Sequence, residues 1–189
     1  MRFLFTLAAL SFATQLAAQT PDPDCRYGDR AEWELISPNY VGAWQILHHA
    51  GFVVMGSMTL PFPGAGDVET MEITMRDNGG LMATHPDMQA PLMFEWADEP
   101  ALTFADEAAE DGVPGPILSS EDIELKSGCK TDDLARLIGT TKATIDGVTM
   151  DMTMRLMIVG ADQLYGIFHV SSVVQGQLIN MWRSVTIQR

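Results

Sequence analysis

The sequence predicts an all-β protein, an antiparallel up-and-down β-barrel with one short helix. Two observations predict it: segments that alternate between apolar and polar residues recur along the chain, and turns containing Gly or Asp separate them. The alternation is clearest in 148–158, where the apolar side chains share one parity and the polar ones the other. Eight or more such segments favour a closed barrel, with a β-sandwich as the alternative.

The N-terminal half contains the less regular segments. A turn at 77–80 carries Asp, Asn and two Gly and separates two of them. The predicted strands of this half are 41–47, 52–60, 68–75, 81–84 and 91–97.

The C-terminal half predicts a meander of four strands, 140–145, 148–158, 163–173 and 177–189. Asp146-Gly147 is a typical hairpin turn between the first two. The short helix is predicted at 132–138, with Thr131 as its N-cap and a glycine just past its end. The acidic, Pro- and Gly-rich stretch 98–119 is predicted to be a surface loop.

The first eighteen residues resemble a secretory signal peptide rather than a part of the fold. One positive charge precedes an apolar stretch from Phe3 to Ala13, and the small residue Ala18 suits cleavage after it. No other segment is long and apolar enough to span a membrane as a helix. The domain organisation predicted is a signal peptide at 1–18, an N-terminal arm at 19–40 and a single barrel at 41–189. We expect the mature protein in the periplasm or outside the cell.

Export decides how the two cysteines are interpreted. In an oxidising compartment Cys25 and Cys129 are expected to form a disulfide that ties the N-terminal arm to the barrel. The alternative, a reactive thiol or a metal thiolate, is disfavoured by the same compartment. The chain-entropy model gives such a long closed loop a stabilisation of about 4–5 kcal/mol.

Composition excludes several classes of partner. The chain has 25 Asp and Glu against 11 Lys and Arg, a formal charge of −14, which disfavours binding to nucleic acid and to anionic membranes. No catalytic elbow, phosphate-binding loop or zinc spacing is present, so the sequence predicts neither an enzyme nor a cofactor. It gives no indication of oligomeric state.

Arg183 is an anomaly in the last predicted strand. It shares the parity of Ile179, Met181, Val185 and Ile187, which predicts that it lies on the buried face. A buried charge needs a partner. A cation–π contact with a tryptophan of the first strand would supply one.

Gly42-x-Trp44 on the first predicted strand together with Arg183 on the last resembles the lipocalin or calycin superfamily. The resemblance implies that Arg183 packs on Trp44 at the closed end of the barrel. It also implies a cavity for a small apolar molecule, open at the opposite end. The Thr-Asp-Tyr motif of lipocalins is absent, and no helix follows the final strand.

The chain contains 13 methionines, several of them on one face of a strand, so the predicted function is to bind a small apolar or amphipathic molecule rather than to react with one. A copper site built from Met and His, and an assembly factor without a ligand, are the alternatives. His169, in the middle of a strand, is predicted either to be hydrogen-bonded in the core or to contact the ligand. The predicted ligand-binding residues are Met71, Met150, Met152, Met154, Phe168 and His169.

Overall fold

The computed structural model describes residues 25, 28–86, 88–98 and 117–189. Helix α1 (Arg30–Ile36) continues into a 3-10 turn (Ser37–Tyr40), and helix α2 (Ser120–Ser127) precedes a second one (Thr131–Asp133). The strands are β1 (Gly42–Met55), β2 (Met58–Phe62), β3 (Val68–Met75), β4 (Leu81–Thr84), β5 (Leu92–Trp96), β6 (Arg136–Ile145), β7 (Val148–Gly160), β8 (Gln163–Val174) and β9 (Gln177–Gln188).

Eight of these strands form a closed antiparallel barrel, which confirms the predicted fold class. From β3 to β9 each strand pairs with the next, and β1 closes the barrel by pairing with both β3 and β9. The extra strand β2 folds back along the second half of β1. The predicted meander of the last four strands is likewise confirmed.

Strand β1 is longer than predicted because two predicted strands are one. The turn lies at 56–57, inside the predicted strand 52–60, and not at 48–51. Residues 48–51 instead contain a β-bulge: His48 pairs with Val185 and Gly51 with Arg183, so two residues of β1 face one of β9. The bulge switches the parity of β1, and side chains at even positions face the interior before it and the outside after it.

The barrel interior is filled by apolar side chains along most of its length. Phe94 is the clearest case, since its ring packs directly over the backbone of Gly139 on the neighbouring strand. The buried interior residues are Trp44, Ile46, Met71, Ile73, Leu81, Ala83, Leu92, Phe94, Leu137, Met154, Leu156, Ile158, Leu164, Val185 and Ile187.

One end of the barrel, which we call the closed end, is covered by α1 and the 3-10 turn after it. Tyr40 stacks on Trp44 with ring centroids 5.8 Å apart, and Trp44 Nε1 donates to the Tyr40 carbonyl over 2.9 Å. The cation over Trp44 is Arg189, with Cζ 4.4 Å from the ring centroid. The predicted contact of Arg183 with Trp44 is therefore wrong. The two side chains lie at different levels of the barrel, because Arg183 pairs with Gly51, past the bulge.

A second apolar cluster lies outside the barrel, where α2 packs on β7, β8 and β9. Ile123 of α2 is completely buried against this cluster, which also contains Trp182. The predicted disulfide between Cys25 and Cys129 is present and holds the start of the described chain beside α2.

The predicted helix at 132–138 is wrong. Residues 131–133 form a single 3-10 turn, and β6 begins at Arg136 because Leu137 and its neighbours pair with both β5 and β7. The capping signals belong instead to α2, where Ser119 and Asp122 form a capping box and Gly128 takes a left-handed conformation.

Two further predictions concern segments that the structure describes only in small part or not at all. The signal peptide at 1–18 and most of the loop at 98–119 lie outside the described residues. Among those described, no helix has both the length and the apolar character needed to cross a membrane.

Candidate ligand-binding site

We call the end of the barrel opposite Trp44 the open end. Its inward-facing side chains are less buried than those of the filled core. Arg183 faces inward beside Phe168, its partner on β8, and both side chains are only half-buried. Below this level, towards Trp44, Val185 and Ile187 are fully buried. Arg183 therefore marks the depth at which the filled core ends.

The guanidinium of Arg183 is held by the bulge in β1. Its Nε and Nη2 atoms donate to the carbonyl oxygen of His49 over 3.1 and 3.0 Å. Phe62 of β2 covers it, with 4.9 Å between Cζ and the ring centroid. Gly51 makes this approach possible, since a Cβ there would meet the Trp182 carbonyl and lie 2.8 Å from the Arg183 Cβ.

Two imidazoles and one carboxylate lie near Arg183 at the same end, on β1, on β3 and directly after β4. Oε2 of Glu69 is 3.4 Å from Nε2 of His48 and 3.5 Å from Nε2 of His85. The histidine side chains are only 10% and 11% exposed, whereas Glu69 is 40% exposed. The carboxylate thus faces the opening with one imidazole on each side.

Burial and charge act together on these groups. The pKa of His48 lies below its ordinary value of 6.5, mainly because of burial and then because of the positive charge of Arg183, while Glu69 opposes the shift. Burial also lowers the pKa of Arg183, again opposed by Glu69. An arginine remains charged at neutral pH even so. The open end therefore presents the cation of Arg183 beside a His48 imidazole that is neutral at pH 7.

Apolar side chains line the barrel above Arg183. We call this surface the inner wall; its members are half-exposed and share the inward parity of Arg183 through the pairings of β1, β7, β8 and β9. The inner wall consists of Val53, Met150, Val170, Ile179 and Met181.

The predicted ligand-binding residues divide between three environments. Met71 and Met154 are 3% and 2% exposed and belong to the filled core. Met152 is 9% exposed and lies where the filled core ends, towards the open end. Met150 lies on the inner wall, and Phe168 lies beside Arg183. Of the predicted methionines Met71, Met150, Met152 and Met154, Met150 is thus the one on the inner wall, which it shares with Met181.

His169 is not part of this site, because it lies on the outer face of β8. Its ring stacks on Trp182 at 3.7 Å, and its Nε2 is 3.1 Å from Oδ1 of Asn180. The expectation that His169 is hydrogen-bonded fits this position, and contact with a ligand inside the barrel does not.

Glu69, His48 and His85 are not among the ligand-binding residues predicted from the sequence. The alternation of the strands indicates that they face inward. Glu69 has the same parity as Met71, and His48 has the same parity as Trp44. His85 likewise continues the inward parity of the preceding strand, 81–84.

Other features of the described residues give weaker candidates. A cavity of about 570 Å³ lies between α1 and the β3–β4 turn, but Arg30 and Glu95 on its rim are already paired with Glu34 and Arg76. Within the described ranges, no group of three His, Cys, Asp or Glu side chains is placed to hold a metal ion.

Comparison with known proteins gives no function. No family model matches the chain, and no curated protein is similar to it in sequence. One similar solved structure is that of a DUF3598 family protein of unknown function from Nostoc punctiforme. The two share 10% identity with a TM-score of 0.31, over 81% of this chain and 48% of the other. This chain therefore spans about half the length of that protein.

Proposed function

We propose that this protein binds a small apolar or amphipathic molecule at the open end of its barrel. The observation that carries the proposal is the change in the interior at the level of Arg183. On the side of Trp44 the apolar core side chains are buried, and on the other side the inner wall is partly exposed to solvent. Half-exposed apolar surface inside a concave structure is where small-molecule sites typically form.

The closed end supports this proposal, since a site of this kind needs a barrel that is sealed on one side. Tyr40 and Arg189 cover the two sides of Trp44, and the hydroxyl of Tyr40 donates to the carbonyl of Gly160 over 3.2 Å. Among the described residues this covering closes the barrel at Trp44, and the open end is the proposed entrance for a ligand.

We further propose a distant relation to the lipocalin or calycin superfamily. Gly42 and Trp44 open the first strand, and Arg189, directly after the last strand, lies over the indole. This arrangement supports the relation with a different arginine from the one first expected. An exported location is a proposal as well, and the apolar N-terminal sequence and the disulfide support it.

Binding can be tested with an environment-sensitive hydrophobic dye and with native mass spectrometry of protein purified from its source. A bulky residue on the inner wall, Val170→Trp, should block dye binding. The matched control is Val173→Trp on the same strand, since Val173 is 61% exposed and of the opposite parity.

The proposal predicts dye binding by the wild type and by the control, and its loss in Val170→Trp. If all three proteins bind the dye equally, the inner wall is not the site. If the wild type binds no dye and carries no co-purified molecule, the proposed function is wrong.

A further inference from the structure

Arg183 has the properties of an anion-binding group. Among the described residues it forms no ion pair, and its two hydrogen bonds both go to the neutral carbonyl of His49. The nearest acid acting on it is Glu69, whose Oε2 atom lies between His48 and His85. No carboxylate among the described residues therefore contacts it directly.

The direction of the guanidinium leaves one edge for a ligand. Nε and one N–H of Nη2 are used by the bulge carbonyl, whereas no hydrogen bond with a described residue uses Nη1. Nη1 and the second N–H of Nη2 form a fork that matches the two oxygens of a carboxylate. The hydrogen bonds to His49 and the ring of Phe62 hold the fork in place before a ligand arrives.

Packing decides which way such a ligand would lie. The filled core beneath Arg183 leaves the inner wall as the accessible apolar surface, and it extends away from the guanidinium towards the opening. From Arg183 to Ile179, at the upper limit of the inner wall, the strand rises about 13 Å. An extended dodecyl chain has a comparable length.

We propose that the ligand is an amphipathic carboxylate that enters head first, so that its carboxylate pairs with Arg183 and its apolar chain lies along the inner wall. This inference rests on the proposed function and adds the chemical class and the orientation of the ligand. The charge of −14 on the whole chain does not oppose it, because at physiological salt exposed charges are screened beyond about 8 Å.

Competition experiments with matched ligands test the charge. Dodecanoate, dodecanol and dodecyltrimethylammonium each displace the bound dye, at pH 7.4 and physiological salt. The wild type should bind dodecanoate about tenfold or more tightly than dodecanol, the size expected for a charge-assisted hydrogen-bonded pair, and the ammonium weakest.

Arg183→Met should abolish the preference for dodecanoate while dodecanol still binds. Arg183→Lys keeps the charge without the fork and should retain part of the preference. The control is Arg76→Gln, which removes one positive charge far from the open end and should leave the preference unchanged. A purely structural Arg183, bracing the bulge, would weaken the binding of both ligands by the same factor.

A measurement on the wild type keeps the test valid if the Arg183 variants do not fold. The carboxyl carbon of bound, carbon-13-labelled dodecanoate should titrate at a lower pH than in detergent micelles, because an adjacent guanidinium favours the ionised form. Equal affinities for dodecanoate and dodecanol, or an unshifted titration, would overturn the head-first carboxylate. Failure to bind any of the three ligands or the dye would instead overturn the proposed function.

Discussion

Replacing Gly139 by alanine tests how tightly the barrel interior is packed. A Cβ at this position would lie 2.5, 2.6 and 2.9 Å from three ring carbons of Phe94. Carbon atoms in favourable contact are about 3.5–4.0 Å apart, so the ring would have to move by about 1 Å. Phe94 is only 1% exposed and has no free space to move into without disturbing its neighbours.

Overpacking of this kind costs about 1–3 kcal/mol, and we expect Gly139→Ala to lower the free energy of unfolding by about 2 kcal/mol. Phe94→Ala should lower it by about 3–5 kcal/mol, because it leaves a cavity. In the double variant the added methyl group meets no ring. Its cost should fall below about 0.5 kcal/mol, which gives a coupling energy of about 2 kcal/mol.

The assay is urea unfolding of the four proteins of this cycle, followed by tryptophan fluorescence. Gly160→Ala is the control, since a Cβ there meets no atom within 4 Å and should leave the stability nearly unchanged. Phe94→Leu replaces the alanine variant in the cycle if that variant is too unstable to measure. Additive effects of the two substitutions would refute the packing argument.

Three further predictions concern the disulfide, the histidines and the closed end. Replacing Cys25 and Cys129 by serine opens a loop with a sequence separation of 104 and should cost about 4–5 kcal/mol in urea unfolding. Burial lowers the pKa of both His48 and His49, so the unfolded chain binds more protons near pH 6.5 and the stability should fall as the pH drops from about 7.5 to 5.5. Arg189→Met removes the cation–π contact with Trp44 together with the ion pair to Asp162 and the hydrogen bond to the Asn39 carbonyl, and should cost at least about 0.5–1 kcal/mol by the same assay.

Each of these three has a contradicting outcome. If the unfolding curves of the oxidised wild type and the double serine variant coincide, the disulfide does not stabilise the protein as the chain-entropy model predicts. A double His48→Gln, His49→Gln variant should show a flatter dependence of stability on pH, and an unchanged dependence would contradict the assignment. Arg183→Met should leave the fluorescence of Trp44 unchanged, whereas Arg189→Met should alter it, and the reverse result would contradict the structure of the closed end.

The strands of the C-terminal half were predictable because each is amphipathic over ten or more residues. Their turns also have clear sequences, such as Asp146-Gly147, where both residues take positive φ angles of 51° and 81°. In β1 the same reasoning failed, because the break in alternation at 48–51 is typical of a turn as well as of a bulge. Only the pairing with β9 distinguishes the two.

The inward position of Arg183 was predictable, and its neighbours were not. Parity along a strand fixes the face of a side chain, whereas the stagger between strands fixes which side chains meet. Local sequence carries little information on the stagger. The sequence therefore indicated Trp44 as the contact of Arg183, whereas the structure shows the carbonyl of His49 in the bulge. The helix at 132–138 failed for a related reason, since capping residues were present but pairing with two strands outweighed them.

The extra strand β2 has a consequence for self-association. In the closed barrel every other described strand pairs with a strand on each side, whereas the one described strand that pairs with β2 is β1. A strand at the edge of a sheet is where a second chain can add a strand. This edge is five residues long and contains Pro61, which has no N–H to donate. The barrel therefore carries the hairpin that places Phe62 over Arg183 without offering a long template for aggregation.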